Sequence, residues 1–300
     1  MINGIGRRDL LKLTGIGGLV FASGLPGVAW SAAADTAGAE DFCFLQLSDS
    51  HWGFAGPPNP DAAGTLPKTV ETINSLDLKP DFVVFTGDLT HTTDDAVERK
   101  RRMLEFRDIV GRLAVKDIRF LPGEHDASLD AGATYREVFG PSYYSFDHKG
   151  VHFIALDNVS DPGSRLGETQ LDWLRQHLAG RNTDEKIVVL THRPLFELYP
   201  EWDWTTADGA QALDLLTPFA HVTVFYGHIH QEHHHMTGRI AHHSAKSLIF
   251  PLPAPGSTPK RAPVPWNAAQ PYSGLGFRGI RTDLAKADYG IVEYPVLRHG

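Results

Sequence analysis

The chain has 300 residues, 42% of them hydrophobic and 21% charged, which is the composition of a globular protein able to bury a sizeable core. Its formal net charge of −8 disfavours general nucleic-acid binding, because that function needs a basic surface. The single cysteine, Cys43, excludes an intrachain disulfide, and we expect its side chain to be buried.

The first 34 residues have the features of an export signal peptide. Arg7 and Arg8 precede a moderately apolar run, and the alanines at 32–34 match an A-x-A cleavage pattern. Paired arginines in this position resemble a twin-arginine signal. The alternative is a membrane anchor, but the run contains too many glycines and prolines for a span of about 20 apolar residues. We therefore predict cleavage of residues 1–34, export by the twin-arginine machinery to the periplasm or the extracellular space, and no stable membrane span.

Five short apolar runs in the remaining chain predict buried strands. They cover residues 42–47, 82–85, 118–122, 187–190 and 222–226. Each run leads into residues that can bind a metal, namely Asp49 and His51, Asp88, Glu124, His192, and His228 and His230. Open α/β sheets bind their ligands at such carboxyl ends of strands. The repetition at five strand ends therefore predicts one shared site.

The segments between these strands predict helices and a loop. Glycines and prolines at 53–67 predict a loop after the first strand. Apolar residues at helical spacing predict helices at 68–76, 96–113, 168–178 and 210–217. Strands that alternate with helices indicate a layered α/β domain, which we expect to be a single domain from residue 35 to 300.

The remaining elements are a hairpin and an irregular tail. Residues 143–146 and 151–156 predict the two strands of the hairpin. A Pro-rich loop is predicted at about 251–271, because its seven prolines exclude a regular strand or helix. Residues 280–283 and 289–294 predict a last pair of strands.

The candidate ligands supply carboxylate oxygens and imidazole nitrogens. This mixture suits manganese, iron or zinc and does not suit a calcium cage. In a D-x-H or H-x-H motif at a strand end, residues i and i+2 point the same way, so both side chains can reach one ion. A lone histidine at a strand end is more often a polar surface group, but here the motif context is met at every segment.

The order of the motifs resembles the calcineurin-like metallophosphoesterase family. D-x-H, G-D, G-E-H-D, H and G-H-x-H follow one another between about residues 41 and 250. The resemblance implies a four-layer α-β-β-α sandwich and a centre of two divalent or mixed-valence ions of manganese, iron or zinc. It also implies an enzyme that hydrolyses small-molecule phosphate mono- or diesters through a hydroxide held between the two ions.

The same resemblance implies a role for each ligand. The expected ligands are Asp49, His51 and His230 for the first ion, Glu124, His192 and His228 for the second, and Asp88 for both. His125 would stabilise or protonate the leaving oxygen, and Asp126 would orient its imidazole. Asp126 could equally cap the end of a strand.

Glu124 stands where the family has asparagine. Glutamate can still bind an ion, but it adds a full negative charge and offers the substrate no N–H donor. Loss of one transition-state donor typically costs about 10²–10³ in rate. Three interpretations follow: a phosphoesterase that prefers diesters, an enzyme for a different substrate class, or a metal-binding protein with little hydrolytic activity.

Other histidines and aromatic residues are weaker candidates. We expect His91 to be a solvated loop residue, and the histidines at 233–235 and 242–243 to lie on an exposed strand or turn. The aromatic residues at 199–204 could form a pocket wall or could pack against the Pro-rich tail with Trp266.

Overall fold

A computed structural model describes residues 41–283 and 289–297 of the chain. The predicted signal peptide at 1–34 lies outside these residues. In the part described, the strands are β1 (Cys43–Leu47), β2 (Phe82–Thr86), β3 (Ile118–Leu121), β4 (Tyr144–His148), β5 (Val151–Ala155), β6 (Lys186–Leu190), β7 (His221–Tyr226), β8 (His233–Thr237), β9 (Ile240–Ser244), β10 (Gly276–Thr282) and β11 (Tyr289–Pro295).

The same residues form six α-helices and a short 3₁₀ helix at Pro200–Trp202. The α-helices are α1 (Ala62–Asn74), α2 (Ala96–Val110), α3 (Glu124–Ala127), α4 (Ala133–Phe139), α5 (Glu168–Leu178) and α6 (Gly209–Leu216). Every helix in the described ranges is too short or too polar to cross a bilayer.

The strands form two mixed sheets. The five-stranded sheet has the order β11-β10-β1-β2-β3, and the six-stranded sheet has the order β4-β5-β6-β7-β9-β8. Strands β1, β2 and β3 run parallel to one another, as do β5, β6 and β7. The carboxyl ends of the parallel strands therefore meet at one edge of each sheet.

An aromatic core fills the space between the two sheets. Phe44 of β1 stacks on Phe82 of β2 with ring centroids 4.9 Å apart. Phe153 of β5 in the other sheet meets Phe82 edge-on at 5.3 Å. Phe225 of β7 completes this packing from the six-stranded sheet. Edge-to-face and offset contacts of this kind add to the stabilisation from burial alone.

Helices cover the outer face of each sheet. On the five-stranded sheet, Leu66 of α1 and Phe106 of α2 pack against Leu45 and Phe85. On the six-stranded sheet, α5 and α6 bury Leu174 and Leu216 against Ile187 and Val189. The order of layers is helix, sheet, sheet, helix, which confirms the predicted α-β-β-α sandwich.

Two of the predictions for individual elements differ from the structure in ways that affect the packing. Helix α1 begins at Ala62, within the predicted loop, and continues through Pro67. Burial of Leu66 and Val70 in the core offsets the backbone hydrogen bond that this proline removes. The second difference concerns His242 and His243, which lie on strand β9 as predicted but are 0% and 4% exposed. Successive side chains of β9 point to opposite faces of the sheet, where His242 packs against Phe196 with ring centroids 4.9 Å apart and His243 packs against Phe225 at 5.6 Å, so both are buried.

Candidate metal centre

The five predicted ligand segments converge where the two sheets meet. Strands β1, β2 and β3 deliver Asp49, Asp88 and Glu124 from one sheet, and β6 and β7 deliver His192 and His228 from the other. Because parallel strands end at a common edge, side chains up to 181 positions apart in sequence become neighbours. The structure therefore places all seven predicted ligands in one region.

The first group of candidate ligands consists of Asp49, His51, Asp88 and His230, all buried. Their ligand atoms all lie within 4.8 Å of one another. Nε2 of His230 is 3.3 Å from Oδ1 of Asp49, and Nε2 of His51 is 3.4 Å from Oδ2 of Asp88. Two carboxylates and two imidazoles at this spacing fit a transition-metal ion.

The second group consists of Glu124, His192 and His228. Oε2 of Glu124 lies 2.9 Å from Nε2 of His192, and Oε1 lies 2.8 Å from Nδ1 of His228. Glu124 Oε2 and both ring nitrogens are nevertheless buried without a hydrogen bond. Buried polar atoms are almost always satisfied, so three unsatisfied atoms converging at one place fit a bound cation.

Asp88 connects the two groups. Its Oδ2 is 3.4 Å from Nε2 of His51 and also 3.4 Å from Nε2 of His192. Its Oδ1 accepts a hydrogen bond from the backbone N–H of His125 at 2.9 Å, which holds the carboxylate in place. Asp88 is thus positioned to bridge two ions.

Backbone carbonyls set the orientation of three histidine rings. Nδ1 of His192 lies 2.7 Å from the carbonyl of Thr86, and Nδ1 of His230 lies 2.8 Å from that of Phe250. In His228 the two ring nitrogens exchange roles, because Nε2 and not Nδ1 lies 3.1 Å from the carbonyl oxygen of Asp203. Each carbonyl accepts the N–H of its ring and leaves the other nitrogen free as a ligand.

The chain adopts an unusual backbone conformation at this centre. Asp49, His51, Asp88, His228 and His230 all have φ between 43° and 67°, in the left-handed region. Such conformations cost free energy in residues other than glycine and cluster at functional sites. Here they turn the chain sharply after β1, β2 and β7, which brings these ligand side chains towards the centre.

Glycine precedes the bridging aspartate for a steric reason. Gly87 has φ of +99°, and a Cβ at this position would lie 2.3 Å from Nδ1 of His192. A side chain here would displace that histidine from its place beside Asp88. The G-D motif is therefore a packing requirement of the centre as well as a local turn.

The charges of the second group are strongly coupled. Burial raises the pKa of Glu124, but the neighbouring His228 and His192 outweigh it and hold this pKa well below its usual value. Burial likewise lowers the pKa of His192, but Asp88 and Glu124 raise it well above its usual value. A cation bound to His192 must therefore displace a proton, so metal affinity is expected to fall at acid pH.

His125 lies beside the ligands with an accessible ring. Its side chain is 29% exposed, and Nε2 is 4.0 Å from Oδ2 of Asp88. Nδ1 lies 2.6 Å from Oγ1 of Thr92 and also accepts the backbone N–H of that residue at 3.3 Å. A neutral ring that accepts at Nδ1 carries its proton on Nε2, which is the nitrogen nearest the metal ligands.

The structure corrects the predicted role of Asp126. Its carboxylate accepts the backbone N–H groups of Leu89, Thr90 and Gly123 at 2.8–3.0 Å and the Thr90 hydroxyl at 2.9 Å. These four donors occupy both oxygens, so Thr92 rather than Asp126 holds the ring of His125. The structure shows the alternative role, in which Asp126 caps the loop after β2. Burial and the charge of Asp88 raise the pKa of Asp126 to about 6.

Replacement of Thr92 by valine tests the support of His125. We expect kcat to fall about tenfold or less and KM to change little, because one hydrogen bond to an imidazole is lost while a backbone N–H remains. Steady-state kinetics on a phosphodiester measures the effect. Thr217→Val, which removes a hydroxyl at the end of helix α6, is the control. A wild-type kcat in Thr92→Val would show that this contact does not position His125.

Replacement of Asp126 by asparagine is expected to lower the free energy of unfolding by about 2–4 kcal/mol. The amide has one oxygen for four donors, so its NH₂ group would face backbone N–H groups that have no other partner. Urea unfolding of the metal-free protein measures the loss. Asp172→Asn, at an exposed ion pair on α5, should change stability by less than about 0.5 kcal/mol. Equal stabilities of the two variants would contradict the capping role.

His91 was predicted to be solvated and lies at the centre. Its Nδ1 is 3.4 Å from Nδ1 of His51, and its ring stacks on His125 with centroids 4.9 Å apart. Burial and the charge of His125 lower the pKa of His91 to about 4. The sequence contained one indication of this position, because His91 follows the candidate ligand Asp88 by three residues in the same loop.

For the aromatic residues at 199–204, the sequence predicted either a pocket wall or packing against the Pro-rich tail, and the structure shows both a cleft and a buried cluster. Trp202 and Trp204 are buried in a cluster with Tyr226. Tyr199 and Trp202 also line an open cleft of about 450 Å³, whose other wall is formed by residues 259–261. Trp266 lines a different cleft.

Residues 43–232 match the family model described as calcineurin-like phosphoesterase. The chain is 31% identical over 170 residues to the cAMP/cGMP dual specificity phosphodiesterase MT0825 of Mycobacterium tuberculosis, which covers 52% of this chain and 51% of that protein. It is 26% identical over 218 residues to the serine/threonine-protein phosphatase CPPED1 of Mus musculus, covering 63% of this chain and 70% of the relative. The match thus spans about half the length of the first relative.

Solved structures show the same fold at low sequence identity. A dimetal phosphatase from Danio rerio superposes with a TM-score of 0.58 at 15% identity, over 85% of this chain and 96% of that one. The purple acid phosphatase PPD1 of yellow lupin gives 0.57 at 14% identity, over 82% of this chain and 50% of that one. Since the family model covers well over half of the sequence, the chain belongs to the calcineurin-like phosphoesterase family.

Proposed function

We propose that this protein is a metal-dependent phosphoesterase that hydrolyses phosphate mono- or diesters at a centre of two ions. The observation that carries the proposal is the pair of buried ligand groups joined by Asp88 Oδ2, with unsatisfied Glu124, His192 and His228 atoms aimed at one place. The donor set favours manganese, iron or zinc. Two cations in such a site would lower the pKa of a water between them and offset the charge of the phosphoryl oxygens.

The chain's own residues then have defined tasks. The left-handed turns and the glycine at 87 hold the ligands in place before the substrate arrives. His125, with its proton on Nε2, can donate a hydrogen bond to the leaving oxygen and then transfer the proton to it. Hydrolysis forms one P–O bond from water and breaks one, and the departing alcohol takes up a proton. Thr92 keeps the ring in the tautomer that this step requires.

Glu124 favours a diester over a monoester as the natural substrate. Asp49, Asp88 and Glu124 bring three negative charges to the centre, and a monoester dianion would add two more, whereas a diester adds one. The bound ions would offset part of this negative charge, so the remaining repulsion would act most strongly on the more highly charged monoester. The relative named as a cAMP/cGMP dual specificity phosphodiesterase has diester substrates in its name, which supports this preference.

A metal-binding protein with little hydrolytic activity is the second candidate. Glu124 favours it, because the residue replaces a potential N–H donor by a charge at the second group. The two candidates differ in turnover and agree in metal content. A different substrate class on the same fold would instead give turnover of another ester only.

Metal analysis combined with an ester panel tests the proposal. The full chain would be purified, depleted of metal by a chelator, and reloaded with manganese, iron or zinc. We expect close to two ions per chain and hydrolysis of bis(p-nitrophenyl) phosphate faster than that of p-nitrophenyl phosphate. Chelation should abolish the activity, and the effective metal should restore it. Two bound ions without turnover of any ester would favour the second candidate.

We also propose that the protein is exported as a folded, metal-loaded molecule to the periplasm or the extracellular space. The paired arginines and the alanines at 32–34 support this route. Replacing Arg7 and Arg8 by lysine should leave the uncleaved chain inside the cell. Cell fractionation and mass spectrometry of the N-terminus would measure both the location and the cleavage site.

A further inference from the structure

An apolar cleft of about 390 Å³ shares the residue Phe250 with the surroundings of the first group of candidate ligands. It lies between the end of strand β9 and the Pro-rich segment, and its apolar lining includes Ile249, Phe250, Pro251, Val264, Trp266 and Leu275. We refer to this feature as the apolar cleft. Hydrolysis of a phosphate ester at the metal centre does not by itself require this cleft.

Phe250 connects the apolar cleft to the metal ligands. Its carbonyl holds Nδ1 of His230 at 2.8 Å. Its ring stacks on His51 with centroids 6.1 Å apart and planes at 17°, and it lies 5.0 Å from the ring of His230. One residue therefore touches two ligands of the first group and lines the cleft. The lining of the cleft therefore begins one side chain away from the first group.

The cleft contains two large apolar side chains that are partly exposed to solvent. Among the described residues, the large hydrophobic side chains that are exposed are Val97, Leu129, Met236, Val264 and Trp266, and the last two lie in this cleft. Val264 and Trp266 are 39% and 37% exposed. The backbone N–H of Val264 donates to the carbonyl of Pro251 at 2.9 Å, so the segment that carries them is tied to the opposite wall.

The second cleft, lined by Tyr199, has a different character. It contains the charged residues Glu201, Asp203, Lys260 and Arg261. It adjoins the second group, because Asp203 lines it and supplies the carbonyl that faces His228. The two clefts thus offer an apolar surface beside the first group and a charged surface beside the second. A phosphodiester has two substituents, so an apolar one could lie in the apolar cleft while a polar one faces the charged cleft.

We propose that the substrate is an amphiphilic phosphodiester whose apolar substituent, an alkyl or acyl chain, binds in the apolar cleft against Val264 and Trp266. This inference rests on the proposed phosphodiester hydrolysis and adds the chemistry of the substrate's recognised group. The apolar substituent leaves water when it enters the cleft, and the stabilisation of the complex grows with the apolar area that is buried. The phosphate stays at the metal ligands, and the scissile P–O bond is the one to the other substituent.

A series of p-nitrophenyl alkyl phosphates tests the proposal. The alkyl group is lengthened from methyl to hexyl, and the metal-loaded enzyme releases p-nitrophenolate from each. We expect kcat/KM to rise about two- to threefold per added methylene until the cleft is filled. A kcat/KM that does not depend on chain length in the wild-type enzyme would overturn the proposal.

Matched variants test where the apolar substituent of the substrate binds. Val264→Ala combined with Trp266→Ala should flatten the dependence on chain length, so that the ratio of kcat/KM for the hexyl ester to that for the methyl ester falls to about one. Val97→Ala, at a residue that is 79% exposed on helix α2, should keep the full dependence. If Tyr199→Ala removes the dependence of kcat/KM on chain length and the double variant does not, the apolar substituent binds in the charged cleft and the proposal is wrong.

A binding measurement separates this inference from the proposed function. Methyl- and butylphosphonate contain no ester bond, so calorimetry with the metal-loaded chain requires no turnover. We expect butylphosphonate to bind about tenfold more tightly, and the double variant to remove that difference. Absence of turnover with every ester would refute the enzyme, whereas equal affinities for the two phosphonates would refute the cleft's role.

Discussion

Replacing Asp88 by asparagine is expected to reduce the bound metal from about two ions per chain to one or fewer. It should also lower kcat for a phosphodiester by about 10³-fold or more. Asp88 Oδ2 is equidistant from His51 and His192 at 3.4 Å, and Oδ1 accepts the N–H of His125. Asparagine can keep one of these functions only. If its oxygen faces the His125 N–H, its NH₂ group faces the ions and repels them.

Elemental analysis of the dialysed variant and initial-rate kinetics would measure the two effects. Asp108→Asn, at an exposed position on helix α2, is the matched control and should retain the wild-type metal content. Circular dichroism of both variants would show whether the fold is intact. An Asp88→Asn enzyme with two ions and undiminished kcat would mean that the two groups do not form one centre.

Replacing Glu124 by glutamine is expected to raise the ratio of monoester to diester hydrolysis about tenfold or more. Glutamine keeps the length of the side chain and removes one negative charge next to the phosphate, so the repulsion of a dianion falls most. The affinity for the second ion should fall at the same time, because a carboxylate that contacts His192 and His228 at 2.8–2.9 Å becomes a neutral amide. The rates must therefore be compared at saturating metal.

Asparagine at position 124, the residue that the family resemblance implies, shortens the side chain as well as removing the charge. Comparing Glu124→Gln with Glu124→Asn separates charge from reach. Glu168→Gln, at the exposed start of helix α5, should alter neither the substrate ratio nor the metal affinity. An unchanged ratio in both Glu124 variants would show that the extra charge does not select the substrate. A rise of several orders of magnitude would show that the natural centre is not tuned for monoesters.

The sequence by itself predicted a layered α/β domain and one shared site for candidate metal ligands at five strand ends, whereas the four-layer sandwich came from the family resemblance. Buried strands appear as short apolar runs, and their period-two geometry and parallel arrangement bring their carboxyl ends together. Asp49, Asp88 and His192 could therefore be assigned to one site without coordinates. Their roles as ligands of the first ion, the second ion or both came from the resemblance, because spacing along the chain does not define distances between strand ends.

Contacts within the loops were decided only by the tertiary structure. The family resemblance implied that Asp126 orients the ring of His125, and a strand-end cap was the alternative. Its carboxylate binds the backbone of the loop after β2, and Thr92 contacts the ring of His125 instead. Loop conformations have no period from which the direction of a side chain can be predicted.

The same reason applies to Phe250, which joins the apolar cleft to His51 and His230 across about 20 to 200 positions of sequence. Strand ends repeat a geometry that the amino-acid order encodes locally. The partners of a loop residue depend on how distant segments pack against it, and only the folded chain contains that information.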